Sequence, residues 1–337
     1  MSDLNGINIS DLLGLSEPLQ KLVETVSCGI GKLYEPIHVR RMANAKAAEI
    51  KAIGDQISDI SEIPIKYDNG KVLVDGTDYT ELVKRTQSRI AFQELKKQQN
   101  IDYAVAFAAQ ELAGELKVSK EPVDEDWVSR FFDSVSCVSE KEMQLIWGKI
   151  LAGEIKEPGS FSMRTLNVVR NLSKKEAECF LKILPCVMSS DGDYFISSDE
   201  KIINVANITF YDILTLDDCG LLYADGTMRM SFTVAKNDPA IMYSDDYAIN
   251  MTRRKDEPYN GSVGVYKLKT AAQELYPLLR KQTNEEYVML WARELYNKNF
   301  NRCSVDVYKV DGIDNGTPNC QPVPLKNWKD NQALILI

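Results

Sequence analysis

W-G-K-I-L-A-G-E-I-K-E-P-G-S-F-S-M-R-T-L, Trp147 to Leu166, reads as a helix, a tight turn and the start of a second helix. Trp147, Ile150 and Leu151 continue the apolar stripe of Met143 and Ile146, at the spacing that keeps side chains on one helical face. Pro158-Gly159 breaks that helix, because proline lacks an N–H and glycine tolerates backbone angles other residues avoid. Ser160 or Ser162 is placed to cap the next helix, with Leu166 and Val169 turned inward.

Upstream, the acids Asp124, Glu125 and Asp126 precede Trp127, Phe131 and Val135, as capping and the helix dipole favour. Ser139 with Glu142, and Ser173 with Glu176, have capping-box spacing. The second box opens a helix with Ala177, Phe180, Leu181 and Leu184 that Pro185 must end or kink. Residues 121–188 are therefore expected to be a compact helical module. Residues 1–120 read as an N-terminal helical region. Leu15, Leu19, Leu22, Val26, Ile30 and Leu33 stripe one helix, capped by Ser16 and with Pro18 in its first turn. A second starts near His38 with a heptad-like seam from Val39 to Ile60. Asn69-Gly70 between alternating apolar runs predicts a small hairpin over 63–76. A long helical stretch follows from about Tyr79 to Leu116, with a candidate break at Lys96 to Asn100. Residues 189–337 read as α+β and winged-helix-like. Their expected order is a helix from Ile208 to Leu216, strands at Cys219–Leu222, Met228–Val234 and Ser262–Leu268, and a helix from Thr270 to Leu279. A helix capped by Thr283 and Glu286, a strand at Cys303–Val307 and a last strand at Ala333–Ile337 complete it. The fold class is mainly α in the N-terminal and central regions, with that α+β region at the C-terminal end.

The seven cysteines are scattered and never spaced C-x-x-C, which fits thiols in a reducing compartment rather than disulfides or zinc. No apolar run approaches the roughly 18 residues a membrane span needs, and the first residues lack a signal-peptide pattern. The cytoplasm is the expected location. A formal charge of −9 opposes generic binding to phosphate backbones. Only Arg253, Arg254 and Lys255 form a dense basic run, and they are the candidate nucleic-acid contact. The helix a winged fold would place in the major groove carries Asp212, Asp217 and Asp218 instead of lysine or arginine. Nucleic acid is therefore not the expected partner.

His38 is the only histidine, which removes most triads and transition-metal sites. No G-x-S-x-G elbow occurs, and Gly29-Ile30-Gly31-Lys32 lacks the earlier glycine and following hydroxyl of a phosphate loop. Asp124, Glu125, Asp126, Glu140, Glu142 and Glu154 have the oxygen donors a divalent cation prefers, yet acids at helix starts are explained by capping. No catalytic residue, cofactor or metal is expected.

The Trp147–Leu166 stretch, with G-L-S-E-P-L-Q-K-L-V-E (Gly14 to Glu24), G-I-G-K-L-Y-E-P (Gly29 to Pro36), F-Q-E-L-K-K-Q-Q-N-I (Phe92 to Ile101) and V-D-E-D-W (Val123 to Trp127), resembles an uncharacterised bacterial family. That family carries a domain-of-unknown-function label and is often met in prophages and mobile elements. A weaker likeness, over the same helix and Ser173 to Phe180, is to the abortive-infection alpha proteins. The resemblance implies a part in bacterium–phage conflict and supplies no active site. Its recurring residues, Trp127, Trp147, Gly153, Pro158, Gly159, Ser160 and Arg164, are those a helical scaffold needs for core, turn and cap. The expectation is a non-enzymatic interaction protein that binds a protein partner, phage-encoded or another copy of itself. The alternatives are a membrane-active abortive-infection effector using residues 12–34, whose mixed Lys21, Glu24 and Lys32 disfavour membrane contact, and a nucleic-acid-binding winged-helix regulator.

Overall fold

The computed structural model describes residues 16–30, 78–299, 301–314 and 316–328. His38 and its helix, the 63–76 hairpin and the strand expected at 333–337 lie outside the described residues. The chain divides into two compact units, Met1–Leu166 and Asn167–Ile337.

The first unit is helical. Its elements are α1 (Glu17–Ile30), α2 (Asp78–Leu112), α3 (Glu125–Val135) and α4 (Lys141–Lys156), and α5 (Met163–Asn171) begins in it. The main seam joins α2 to α4, and α1 packs on α3. Gly148 permits the first contact, because a Cβ there would sit 2.5 Å from the Phe107 Cβ and 2.9 Å from the Ala104 carbonyl. Trp147 is fully buried, with its ring edge-on to Phe131 at 5.4 Å, and Phe131 stacks on Trp127 at 5.2 Å.

Several local expectations are corrected here. The helix α2 runs unbroken for 35 residues through Lys96 to Asn100. Asn100 is buried, and its amide donates to the Ser136 carbonyl at 2.7 Å and accepts from Gln144 Nε2 at 3.2 Å. What reads as a polar break is thus a buried hydrogen-bonded network, in which the Asn100 amide is paired on both its atoms. Ile101, Val105, Ala108 and Leu112 form the buried stripe, but the helix stops at Leu112 and Leu116 is 89% exposed. The Ser139–Glu142 box does not form: α4 starts after Glu140 with no side-chain cap, and the Ser139 hydroxyl accepts from Asn100 at 3.4 Å.

The second unit is α+β. Ser173 and Glu176 make their capping box at α6 (Lys174–Ile183), which Pro185 ends in a short 3-10 turn. Next come β1 (Met188–Ser190), β2 (Asp193–Ser197), α7 (Glu200–Asn204), α8 (Phe210–Asp218), β3 (Arg229–Val234), β4 (Ala240–Tyr243), β5 (Tyr247–Arg253) and β6 (Tyr259–Lys267). The helices α9 (Thr270–Leu279) and α10 (Glu285–Asn299) precede β7 (Cys303–Asp314), β8 (Thr317–Cys320) and β9 (Lys326–Trp328). Among the described residues, nine strands pair antiparallel in one sheet ordered β3-β6-β2-β1-β4-β5-β7-β8, with β9 beside β7. Helix α10 packs on β5 and β7, and its Tyr287 and Trp291 fill the core. The buried Tyr287 oxygen accepts the Ser197 N–H at 2.7 Å, tying the helix to the end of β2.

The expected helices at 208–216 and 270–279 and the strands at 228–234, 262–268 and 303–307 have counterparts in α8, α9, β3, β6 and β7. Cys219 to Leu222 is instead a turn, with Gly220 at φ +85° and a single bridge from Leu222 to Leu268. The cap of α10 is Asn284, which accepts from Tyr287 N at 3.0 Å, while the Thr283 hydroxyl donates to Ser244 at 2.9 Å. The sequence does not predict β1, β2, β4, β5, β8 and β9, and they extend the sheet well beyond the wing of a winged helix.

The helix α8 is tied to α6 through Asp212, whose carboxylate accepts from Lys182 at 2.7 Å, from the Thr209 N–H at 2.7 Å and from the Thr209 hydroxyl at 2.8 Å. Burial works to raise this carboxyl, but the hydrogen bonds from Lys182, Thr209 and Cys179 outweigh it and hold its pKa at about 2. A depressed carboxylate stabilises the fold above its unfolded value of 3.8 and loses that contribution as pH falls through about 2. At pH 7, Asp212→Asn should therefore be less stable than the native chain, by on the order of 2 kcal/mol. Thermal unfolding should show the gap closing between pH 4 and pH 2. A gap independent of pH would contradict the pairing.

Candidate functional site

The family-like stretch is built around a buried carboxylate. Glu154, 1% exposed near the end of α4, accepts the main-chain N–H groups of Gly159 at 2.6 Å and Phe161 at 2.9 Å. Gly159 takes φ +88°, where a Cβ would be strained. At Gly153 a Cβ would meet the Phe161 ring at 2.7 Å, so the turn folds flat on the helix only over a glycine. Trp127 closes the arrangement by donating its indole N–H to the Phe161 carbonyl at 2.7 Å. On the other side, Lys21 of α1 donates to the carbonyls of Ile155 and Ser119, both at 2.9 Å. A cation there complements the C-terminal end of α4. Burial lowers the Lys21 pKa below the usual lysine value, against the attraction of Glu154, Glu121 and Glu24.

These contacts frame a cleft of about 1080 Å³ between α1, residues 118–125 and the 158–163 turn. Val123, Trp127, Phe161 and Met163 give it an apolar floor. Glu17, Glu24, Glu121, Asp124 and Glu125 stand exposed around it, against the cations of Lys21 and Lys120. The cleft is net acidic over an apolar base.

The structure thus gathers Trp127, Gly153, Pro158 and Gly159 at one place. Trp147 lies in the core, with no hydrogen-bond partner for its indole N–H among the described residues. The Ser160 hydroxyl donates to the Glu157 carbonyl at 2.6 Å, and Ser162 is the residue that caps α5, accepting from Thr165 N at 3.3 Å. Arg164 is exposed. Of the acids weighed as cation ligands, Asp124 caps α3 by accepting from Trp127 N at 2.8 Å, while Glu142 and Glu154 sit at opposite ends of α4. Among the described residues no three His, Cys, Asp or Glu are grouped as a metal ion would need. The sequence reading missed the Glu154–Lys21 scaffold; a glutamate followed closely by Pro-Gly was the available signal.

In the second unit the basic run is dispersed. The Arg253 guanidinium, 13% exposed, bonds the Asp256 carbonyl and lies 3.8 Å from its carboxylate. Lys255 is exposed beside Asp256 and Glu257, and the Arg254 N–H joins the Arg302 carbonyl at 2.8 Å. Two of the three aspartates of α8 are paired too, Asp217 with Lys269 at 2.6 Å and Asp212 with Lys182. Burial pushes the thiols of Cys186, Cys219 and Cys303 up, to about 12, 11 and 11, and raises Cys179 as well. High thiol pKa values disfavour nucleophilic chemistry at those positions. No described helix is long and apolar enough to cross a membrane.

Glu154→Ala should strand two main-chain donors and lower unfolding stability by about 3 kcal/mol. Gly159→Ala, at its positive φ, should cost about 1 kcal/mol. Denaturant unfolding of both variants checks the order, and a negligible loss for Glu154→Ala would mean the carboxylate does not hold the turn.

No curated protein and no solved structure matches the chain. A family model described as "Protein of unknown function (DUF2806)" matches residues 84–291, from α2 into α10. That segment is more than half of the chain and contains the Glu154 turn, whereas the Gly14–Glu24 and Gly29–Pro36 stretches fall outside it. The chain belongs to the DUF2806 family, whose members share a domain of unknown function.

Proposed function

We propose that this chain is a non-enzymatic, cytoplasmic interaction protein of bacterium–phage conflict that docks a basic, partly apolar segment of a protein partner in the acidic cleft of its first unit. The observation that carries the reading is the pairing of an apolar floor with five exposed carboxylates at the turn where the recurring residues converge. Charge of one sign around a concavity steers an oppositely charged partner, and the buried floor supplies contact area once it is seated. The residues beneath the cleft are occupied in holding the backbone, as expected of a binding scaffold.

The order α8, β3, β6 and α9 is interrupted by β4 and β5 and so departs from the consecutive helix–strand–strand–helix of a winged helix; we read α8 as a protein-facing element. Phe210 and Tyr211, 62% and 79% exposed, are better suited to protein than to a phosphate backbone. Burial of Leu22, Val23 and Val26 of α1 within the first unit counts against the membrane-active reading, since that stripe would have to leave its core.

The test is a pulldown from phage-infected cells with the native chain and the variant Glu17→Gln/Glu121→Gln/Glu125→Gln, with native mass measured on the eluate. A partner held by the native chain should fall at least about tenfold with the variant, and should be released by raised salt. Capture indifferent to both changes, or no partner at all, removes the proposal.

A further inference from the structure

Among the described residues, the sheet of the second unit has β3 at one edge and β8 and β9 at the other. An edge strand offers its unpaired N–H and C=O groups to any chain that lies beside it. The second edge is guarded: β8 carries Pro318, which has no N–H, and β9 is three residues long and begins with Lys326. The first is not. The six residues of β3, R-M-S-F-T-V, contain no proline and one charge, Arg229. That guanidinium is folded back on β6, donating to the Ser262 hydroxyl and carbonyl, both at 2.9 Å.

The pairing of β3 with β6 settles which of its groups are free. The Met228 carbonyl accepts the Val265 N–H at 3.2 Å, and antiparallel bonding alternates along a strand. Met230, Phe232 and Val234 therefore bond to β6, while Arg229, Ser231 and Thr233 turn their N–H and C=O groups outward. Among the described residues, those outward groups have no hydrogen-bond partner. Side chains alternate as well. Arg229, Ser231 and Thr233 lie exposed on one face of the strand, and Met230 and Phe232 lie half-buried on the other.

We propose that this edge pairs with β3 of a second copy of the chain, antiparallel, about a two-fold axis through Ser231. In that register Arg229 faces the partner's Thr233, Ser231 faces its own counterpart, and Met230 faces the partner's Phe232. Each outward residue then exchanges both of its main-chain bonds with the residue opposite. No like charges stand opposed, and the closer, non-hydrogen-bonded pairs set a methionine sulfur against an aromatic ring. A second copy supplies this match on both faces by symmetry, which a foreign strand has no reason to do. An axis through Phe232 would instead set Arg229 against Ala235, whose N–H and carbonyl are already joined to Asp238 at 2.9 and 3.4 Å. The inference concerns the second unit and stands apart from the acidic cleft of the first.

The test measures the mass of the full-length chain by analytical ultracentrifugation at concentrations up to on the order of 100 μM, since so short a pairing belongs with small, transient interfaces. A dimer is expected. Ser231→Lys, at an exposed side chain, sets two ammonium groups against each other at the axis and should weaken it about tenfold or more. Ser231→Pro removes an outward N–H without touching the bonds to β6 and should act alike, with circular dichroism showing that each variant is folded. Under mild oxidation Ser231→Cys should give a dimer linked through the introduced thiols, identified by peptide mass. Thr233→Cys should not, because it faces the partner's Arg229. A native chain that stays monomeric, even one whose β3 takes up an extended segment of another protein, overturns the assignment. So does a dimer indifferent to folded Ser231→Lys, or linkage through Thr233→Cys in place of Ser231→Cys.

Discussion

Two main-chain N–H groups, those of Gly159 and Phe161, face the interior end of α4 where little water can reach, and the Glu154 carboxylate accepts both. A charged acceptor of two amide donors can be kept in so buried a place because its remaining demand is small and a cation, Lys21, lies near. Much of the first unit follows from that arrangement. The turn it holds brings Phe161 over Gly153 and presents the carbonyl to which Trp127 donates. Trp127 stacks on Phe131, which touches Trp147, so the polar anchor is continuous with the aromatic core.

The second unit solves a different problem. A nine-stranded antiparallel sheet leaves one face to be covered, and α10 covers part of it with Tyr287, Trp291 and Leu295. Tyr287 is wholly buried, and its hydroxyl oxygen accepts the Ser197 N–H at the point where β2 leaves the sheet. Burial raises its pKa well above the usual tyrosine value, so it remains a neutral bolt. The same meeting of β2 and α10 borders a cleft between the β3–β6 pair and the last turns of α10.

In the cleft of the first unit, structural hydrogen bonds occupy the buried polar groups and leave an outer layer of carboxylates around an apolar floor. The cysteines with resolved shifts are all moved away from reactivity, chiefly by burial.

Local chemistry made part of this legible without coordinates. Asp124 before Trp127, Ser173 with Glu176, and Pro185 each act within one helical turn, so residues a few positions apart determined where α3 and α6 begin and where α6 ends. The Asp191-Gly192 turn between β1 and β2, with φ +52° and +82°, carried an equally local signal that went unread. Other features depended on partners far along the chain. Asn100 reads as a break until Ser136 and Gln144 satisfy it, and Glu154 reads as a free acid until a turn five residues on folds back to it. Sheet order was beyond sequence inspection because strands such as β5 and β7 pair across some fifty residues. The sequence by itself determined helix ends, turns and the apolar faces, since those are settled by neighbours. Only the tertiary structure decided which polar groups became scaffold and which stayed at a surface, because that depends on what burial brings within hydrogen-bonding reach.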